Sequence, residues 1–146
     1  MNILGISCFY HDGAAALIID GKIVAAAEEE RFSRIKHDSG FPEMAVDFCL
    51  KLAGIKASDL DFVVFYEKPF SKFERITLTS LAIVPSGREN FINAYKALLK
   101  EKIWIKATII KKLKLPSEKI VFSSHHLSHA ASSYYPSSFK SAAILT

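Results

Sequence analysis

The dipeptide Asp20-Gly21 lies between two apolar runs, residues 14–19 (AAALII) and 22–28 (KIVAAAE). A two-residue hairpin turn asks both central residues for positive φ, and Asp-Gly is among the few pairs that tolerate it. The chain is therefore expected to double back at this point into two antiparallel strands. Residues 2–8 (NILGISC) form a third apolar, β-branched run, separated from the second by Phe9-Tyr10-His11-Asp12-Gly13. The first 28 residues read as a three-stranded antiparallel meander. Ala14, Ala15 and Ala16 follow Gly13 and leave space beside the first turn. Small side chains there admit a ligand or another backbone, or the tight packing of a helix on the sheet.

Beyond the meander the pattern becomes α/β. Residues 28–42 are densely charged and read as an exposed connection or the rim of a site. Pro42 suits a helix start, where its missing N–H costs nothing. Residues 43–54 then place Ala45, Phe48, Cys49 and Leu52 on one helical face, with Gly54 as C-cap. Residues 58–61 form a turn and 62–66 (FVVFY) a buried strand. The weak pattern from Glu67 to Gly87, punctuated by Pro69 and Pro85, reads as a loop with helical turns. Residues 89–113 are helical in character, and Phe91, Tyr95 and Trp104 read as packing residues. A short strand over 119–122, a helix over 125–135 and a last strand over 140–146 complete the expectation.

Composition narrows the class. Half of the 146 residues are hydrophobic and 23% are charged, enough apolar surface for a core. The formal net charge of +4 is too mild to argue for nucleic acid. Eight lysines between Lys96 and Lys119 read as a solvated helix face. The apolar runs fall far short of the ~20 residues that span a bilayer, so no membrane partner is expected. The N-terminus lacks a basic leader and meets His11 and Asp12 too early for a signal peptide. Cys8 and Cys49 stand apart from any CxxC pair and read as buried thiols in a reducing cytosol. A cytoplasmic protein is the expectation.

Three constellations carry chemistry. In Ser124-His125-His126-Leu127-Ser128-His129-Ala130, His125 and His129 are four apart. On a helix this stacks both imidazoles on one face, ~5–6 Å between Cβ atoms. Two histidine ligands of a divalent cation need that geometry; a helix N-terminus with capping histidines has the same pattern. His126 lies about 100° further round. The Glu that follows the first histidine in a zinc protease is missing, which disfavours that chemistry. The second constellation, His11-Asp12-Gly13, offers a general base, an anion site or an ordinary polar turn. The third is Glu29-Glu30-Arg31-Phe32-Ser33-Arg34-Ile35-Lys36-His37. There Glu30 and Arg34 can pair at i,i+4, or Arg34 and Lys36 can face a phosphate, or the run is simply solvated.

Taken together and in this order, three segments resemble the O-carbamoyltransferase family, the nodulation, cephamycin and aminoglycoside carbamoyltransferases. They are ILGISCFYHDGAAALIIDGKIVAAAEEERFSRIKHDSGFP (3–42), HHLSHAASSYYPSSF (125–139) and AAILT (142–146). Residues 67–118 are the least diagnostic part. The resemblance implies a partial actin-like ATPase lobe with a ribonuclease H-like mixed sheet, akin to sugar kinases and tRNA threonylcarbamoyladenosine synthases. It implies that carbamoyl phosphate and ATP form a carbamoyl-adenylate whose carbamoyl group passes to a substrate hydroxyl. It further implies a divalent metal, often iron, held by His125 and His129. His11 matches the histidine associated with carbamoyl transfer, and Lys36 a basic residue close to the carbamoyl-adenylate. Asp12, Gly13, Arg34 and His126 are the implied neighbours of nucleotide and phosphate.

The family's next element is an acidic Asp-Gly turn, which falls just past Thr146. The chain is therefore expected to be the N-terminal part of such an enzyme, silent alone. Its expected partners are the missing C-terminal part or a partner chain, and a small hydroxyl acceptor whose site lies in the missing domain. A homo-oligomer is a further option. A non-catalytic interaction module and a tRNA-modifying or kinase-like relative of the same fold stay open as alternatives.

Overall fold

The computed structural model describes residues 1–82, 91–92, 95–96 and 104–145. The meander forms as read: β1 (Asn2–Ser7), β2 (Ala14–Ile19) and β3 (Lys22–Glu28). Asp20 and Gly21 both take positive φ, 49° and 78°. β1 and β2 pair antiparallel from Asn2 opposite Ile19 to Ser7 opposite Ala14. β2 and β3 are also antiparallel, with a register shift between Leu17 and Ile18. Such a bulge adds local twist to the strand pair.

Two later strands join the other side of β1. β4 (Phe62–Phe65) runs parallel to β1, and β5 (Ile120–Phe122) runs parallel to β4. The sheet order is β3-β2-β1-β4-β5, so β1 is central. Its alternation puts Leu4, Ile6 and Cys8 into the core. Two helices cover that face, α2 (Glu43–Ala53), after the single-turn α1 (Glu30–Ser33), and α4 (Ile105–Leu113). Ile105 and Ile109, one turn apart, are fully buried, and Lys112 joins Glu43 across the two helices at 2.6 Å. Gly54 ends α2 at φ 67°, its N–H bonded to the carbonyls of Leu50 and Lys51.

The structure corrects several expectations. α2 buries Ala45, Val46, Cys49 and Leu50, whereas Phe48 and Leu52 are 38% and 60% exposed. The helix carries two overlapping apolar stripes that share Ala45 and Cys49, and periodicity alone does not choose between them. Burying Val46 and Leu50 is worth ~1.5–3 kcal/mol each. Phe48 instead leans on Phe32 of α1, ring centroids 5.5 Å apart. The expected loop after β4 is the helix α3 (Pro69–Ala82). Phe70, Leu78 and Leu81 are exposed on it, and these outward apolar residues blur its pattern. Residues 83–87 of that expectation lie outside the described residues.

Of the expected helix over 89–113, α4 and the helical pairs 91–92 and 95–96 are described, and the remainder is not. Phe91 and Tyr95 do pack, with Tyr95 5.3 Å from both Phe73 and Phe91. Trp104 is largely exposed. α5 (His125–Tyr134) forms close to the expected range. The last strand does not: residues 140–145 are irregular, because among the described residues no strand supplies partners for their backbone. Both cysteines are buried, and burial pushes the Cys49 thiol up from its ordinary pKa.

Candidate functional site

β1, β4 and β5 point the same way, so the segments leaving their C-terminal ends gather at one edge of the sheet. In open α/β sheets that edge is where ligands bind. Here it collects the turn 8–13 after β1, Tyr66 to Lys68 after β4, and Ser123 with α5 after β5. Two bonds tie the last segment down: Ser123 N–H to the Phe65 carbonyl at 2.9 Å, and Ser128 Oγ–H to the Tyr66 carbonyl at 3.0 Å.

The turn bearing His11, Asp12 and Gly13 is held by the charged segment 29–42. Phe9 N–H donates to the Ser39 carbonyl at 2.7 Å, and Gly13 N–H to the Asp38 carbonyl at 2.6 Å. Glu29 N–H returns a bond to the Gly13 carbonyl at 2.7 Å. Phe9, Arg34 and His37 all take left-handed φ, an unfavourable choice for residues with side chains. Such strain persists where the surroundings over-determine it, and it clusters at functional segments. The close approach at Gly13 is made by backbone. A Cβ there would meet the Gly40 carbonyl oxygen at 2.7 Å and that of Asp38 at 3.2 Å. Gly13→Ala should therefore cost about 1–3 kcal/mol, as overpacking does. Urea denaturation would check this, and a variant as stable as the parent would remove the constraint.

Glu29 belongs to the segment read as an exposed connection or the rim of a site, yet it is buried, at 4% exposure. Its Oε1 accepts the Met44 N–H at 3.0 Å and its Oε2 the Ala45 N–H at 2.8 Å. These are orphan donors of the first turn of α2. The N-cap residue of that helix is Pro42, which has no side-chain acceptor to satisfy them. Pro42 thus leaves these donors to an acceptor from elsewhere, a distant side chain or water, and the sequence does not say which. A negative charge also suits a helix N-terminus.

The rest of the charged segment stays near the surface. The Glu30–Arg34 pairing, one of the three readings of this run, gives way to other partners. Glu30 Oε2 accepts the His37 N–H at 3.1 Å, and Glu30 Oε1 lies 3.5 Å from Arg31. α1 is a single turn, and Arg34 ends it in the left-handed region, which breaks the i,i+4 geometry. Arg34 and Lys36 are exposed. His37, which sequence reading gave no role, meets Asp12 with Nδ1 3.0 Å from Oδ1. Asp12, Glu30 and His37 bring three ligand-type atoms within 4.8 Å of one another.

α5 presents the histidines. His125 Nε2 and His129 Nε2 lie 3.2 Å apart, while His126 turns away, its ring edge-on to that of His125. Two imidazole nitrogens bound to one ion at ~2.0–2.1 Å, at a right or tetrahedral angle, stand about 2.8–3.4 Å apart. The pair therefore fits a shared cation in spacing and in chemistry, with further ligands to come from elsewhere. Ser132, Ser133, Ile144 and Leu145 line the hollow beside it.

A second hollow, of about 560 Å³, opens between α3 and the start of α5. Tyr10, Tyr66, Lys68, Arg75, His125 and His126 are among the residues that line it. It joins the two histidine-bearing elements. The Tyr10 ring is edge-on to His11 at 4.1 Å, and the Tyr66 ring lies 5.6 Å from His125. Burial, and then the charge of Glu67, pushes the Tyr66 phenol well above its ordinary pKa. Sequence reading missed Tyr66, Lys68 and Arg75, since only the parallel pairing of β1, β4 and β5 brings them to the histidines.

Comparison with known proteins identifies the lineage. The family described as Carbamoyltransferase N-terminus matches residues 2–146. An uncharacterized protein of Synechocystis sp. is 48% identical over 153 residues, covering 99% of this chain and 25% of that protein. The nodulation protein NolNO of Sinorhizobium fredii is 35% identical over 140 residues, covering 94% of this chain and 19% of that protein. The chain thus spans a quarter or less of the length of these two relatives. With motifs, site edge and match running together along its whole length, the chain belongs to the O-carbamoyltransferase family, to which it corresponds over the N-terminal part.

Proposed function

We propose that this chain is the histidine-bearing part of an ATP-dependent O-carbamoyltransferase, one that makes carbamoyl-adenylate from carbamoyl phosphate and ATP and transfers the carbamoyl group to a hydroxyl. The observation that carries the reading is the convergence of His125 and His129, Nε2 to Nε2 at 3.2 Å, at the sheet edge that also bears His11. The strand order β3-β2-β1-β4-β5, a meander followed by two parallel strands, supports the actin-like, ribonuclease H-like reading. The two buried thiols support work in the reducing cytosol, and among the described residues no helix is long and apolar enough to cross a membrane.

In transfer, the acceptor oxygen attacks the carbamoyl carbon, the bond from that carbon to the adenylate oxygen breaks, and AMP leaves. His125 and His129 would hold a divalent cation, iron in this reading, which would supply positive charge to a bound phosphate. His11 takes the hydroxyl proton on a ring nitrogen as the new bond forms. Lys36 and Arg34 place positive charge beside the leaving phosphate, while Asp12, Gly13 and His126 border it. The remaining ligands and the rest of the nucleotide cleft come from the C-terminal part or a partner chain, and the chain alone is inactive.

Grafting this chain in place of the matched quarter of the Synechocystis relative tests the proposal. The chimera should consume ATP only when carbamoyl phosphate is present, and the isolated chain should not. Turnover by the isolated chain would overturn its inactivity. A folded chimera without carbamoyl-phosphate-dependent turnover would overturn the reaction.

A further inference from the structure

The turn that follows β1 belongs to a second group of metal-type ligands, apart from the histidines of α5. Asp12, Glu30 and His37 each offer one ligand atom, and the three atoms lie within 4.8 Å of one another. His37 Nδ1 stands 3.0 Å from Asp12 Oδ1, and Glu30 Oε2 accepts the His37 N–H at 3.1 Å. The three come from separate points of the chain, and each adjoins a residue whose backbone is bonded in place. Asp12 precedes Gly13 and His37 precedes Asp38, and the Gly13 N–H donates to the Asp38 carbonyl at 2.6 Å. Glu30 follows Glu29, whose N–H donates to the Gly13 carbonyl at 2.7 Å and whose carboxylate caps α2. The three-point arrangement is therefore fixed by folding, before any ligand arrives.

Charge and donor type narrow what the group can hold. Two ionised carboxylates beside a neutral imidazole oppose each other, and an opposite charge between them relieves this. Among the described residues, Arg31 is the one arginine or lysine paired with either carboxylate, and it reaches only Glu30 Oε1, at 3.5 Å. Arg31 is 70% exposed and also meets Glu28 at 3.3 Å. Asp12 has His37 alone as its ion-pair partner among the described residues. Asp12 is 37% exposed and Glu30 22%, so an ion can enter from solvent. Ligand atoms ~2.0–2.2 Å from one ion stand at most about 4.4 Å apart, so a small side-chain rotation closes the set. A purely oxygen set suits Mg²⁺ or Ca²⁺, whereas an added imidazole favours a first-row ion such as Mn²⁺, Fe²⁺ or Zn²⁺.

We propose that Asp12, Glu30 and His37 form a second metal site, which takes one first-row divalent cation through His37 Nδ1 and one oxygen of each carboxylate, with water completing the coordination. The proposal needs neither the carbamoyltransferase reading nor the pair on α5. An ion there would tie the turn after β1 to the segment 30–37 and add positive charge one residue along the chain from His11.

Paramagnetic broadening of amide NMR signals by Mn²⁺ tests the site without any turnover. The 146-residue chain is used as its His129→Ala variant, which takes away the shared position on α5 so that other binding is read alone. Mn²⁺ should broaden the signals of residues 11–13, 29–31 and 36–38 before any others, and saturate at one ion per chain. Adding H37N, D12N or E30Q should weaken that binding at least about tenfold, since each removes one of three ligands. None of the three side chains is buried. Asn also tolerates the left-handed φ of 56° that His37 holds, so circular dichroism should show the fold retained. Should one variant unfold, the other two decide. Broadening confined to residues 125–133, or broadening at the proposed site that H37N and D12N leave unchanged, would overturn the proposal. So would the absence of localised broadening, which would reduce the group to an ion pair between His37 and Asp12. Ca²⁺ binding as tightly as Mn²⁺ would show two carboxylates gathering any cation, and would defeat the role of His37.

Discussion

His129→Ala in the assembled enzyme should lower carbamoyl transfer by at least about 100-fold and weaken divalent-cation binding to the same extent. Removing a group that merely orients a metal ligand already costs ~10–100-fold, and this substitution would remove a proposed ligand itself. The remaining His125 cannot hold the ion in the shared position, because the fit rests on two nitrogens 3.2 Å apart. The loss should appear in calorimetric titration with Co²⁺ or Fe²⁺ as well as in the rate. Leu127→Ala, at an exposed position on the same helix, should change neither by more than about twofold. Retention of full cation affinity and activity by the His129 variant would remove the ligand role. Lost activity with intact affinity would point to proton transfer or substrate contact instead.

Glu29→Ala should destabilise the fold by about 3 kcal/mol, out of the ~5–15 kcal/mol a domain commonly has. Both carboxylate oxygens accept backbone N–H groups of α2, at 3.0 and 2.8 Å, where water has little access. A lost helix cap costs ~0.5–2 kcal/mol, and a buried donor left without a partner adds about 1–3 kcal/mol. Glu29→Gln should recover less than half of the loss, because its amide NH₂ would face one of the two donors. Equilibrium urea unfolding measures all three proteins. A change below about 0.5 kcal/mol in the alanine variant would show that solvent replaces the carboxylate.

These two residues differ in how they were legible. His125 and His129 could be paired from the sequence, because four residues of helix bring side chains together without tertiary help. The Asp20-Gly21 turn was legible for the same local reason. Glu29 was not, since its partners lie 15 and 16 residues away and a charge in an acidic run reads as solvated. The buried stripe of α2 was half legible: Ala45 and Cys49 belong to either candidate face, and the sheet chooses Val46 and Leu50 over Phe48 and Leu52. α3 was obscured by its exposed Phe70, Leu78 and Leu81. The hollow beside it was invisible, because Tyr10, Tyr66 and His125 are neighbours only once β1, β4 and β5 lie parallel.

The backbone bonds from Phe9 and Gly13 to residues 39 and 38 bear on the entropy of binding. A free loop of this length would surrender roughly 1–2 kcal/mol per residue when a substrate fixed it. Here the turn is already fixed in the folded state, through the segment that Glu29 anchors to α2. That ordering is charged to folding, so the contact energy of any ligand arriving at this turn can appear as affinity instead. The same coupling makes the mobility of this turn a property of the sheet and α2 as one cooperative unit, opening when they open rather than on its own.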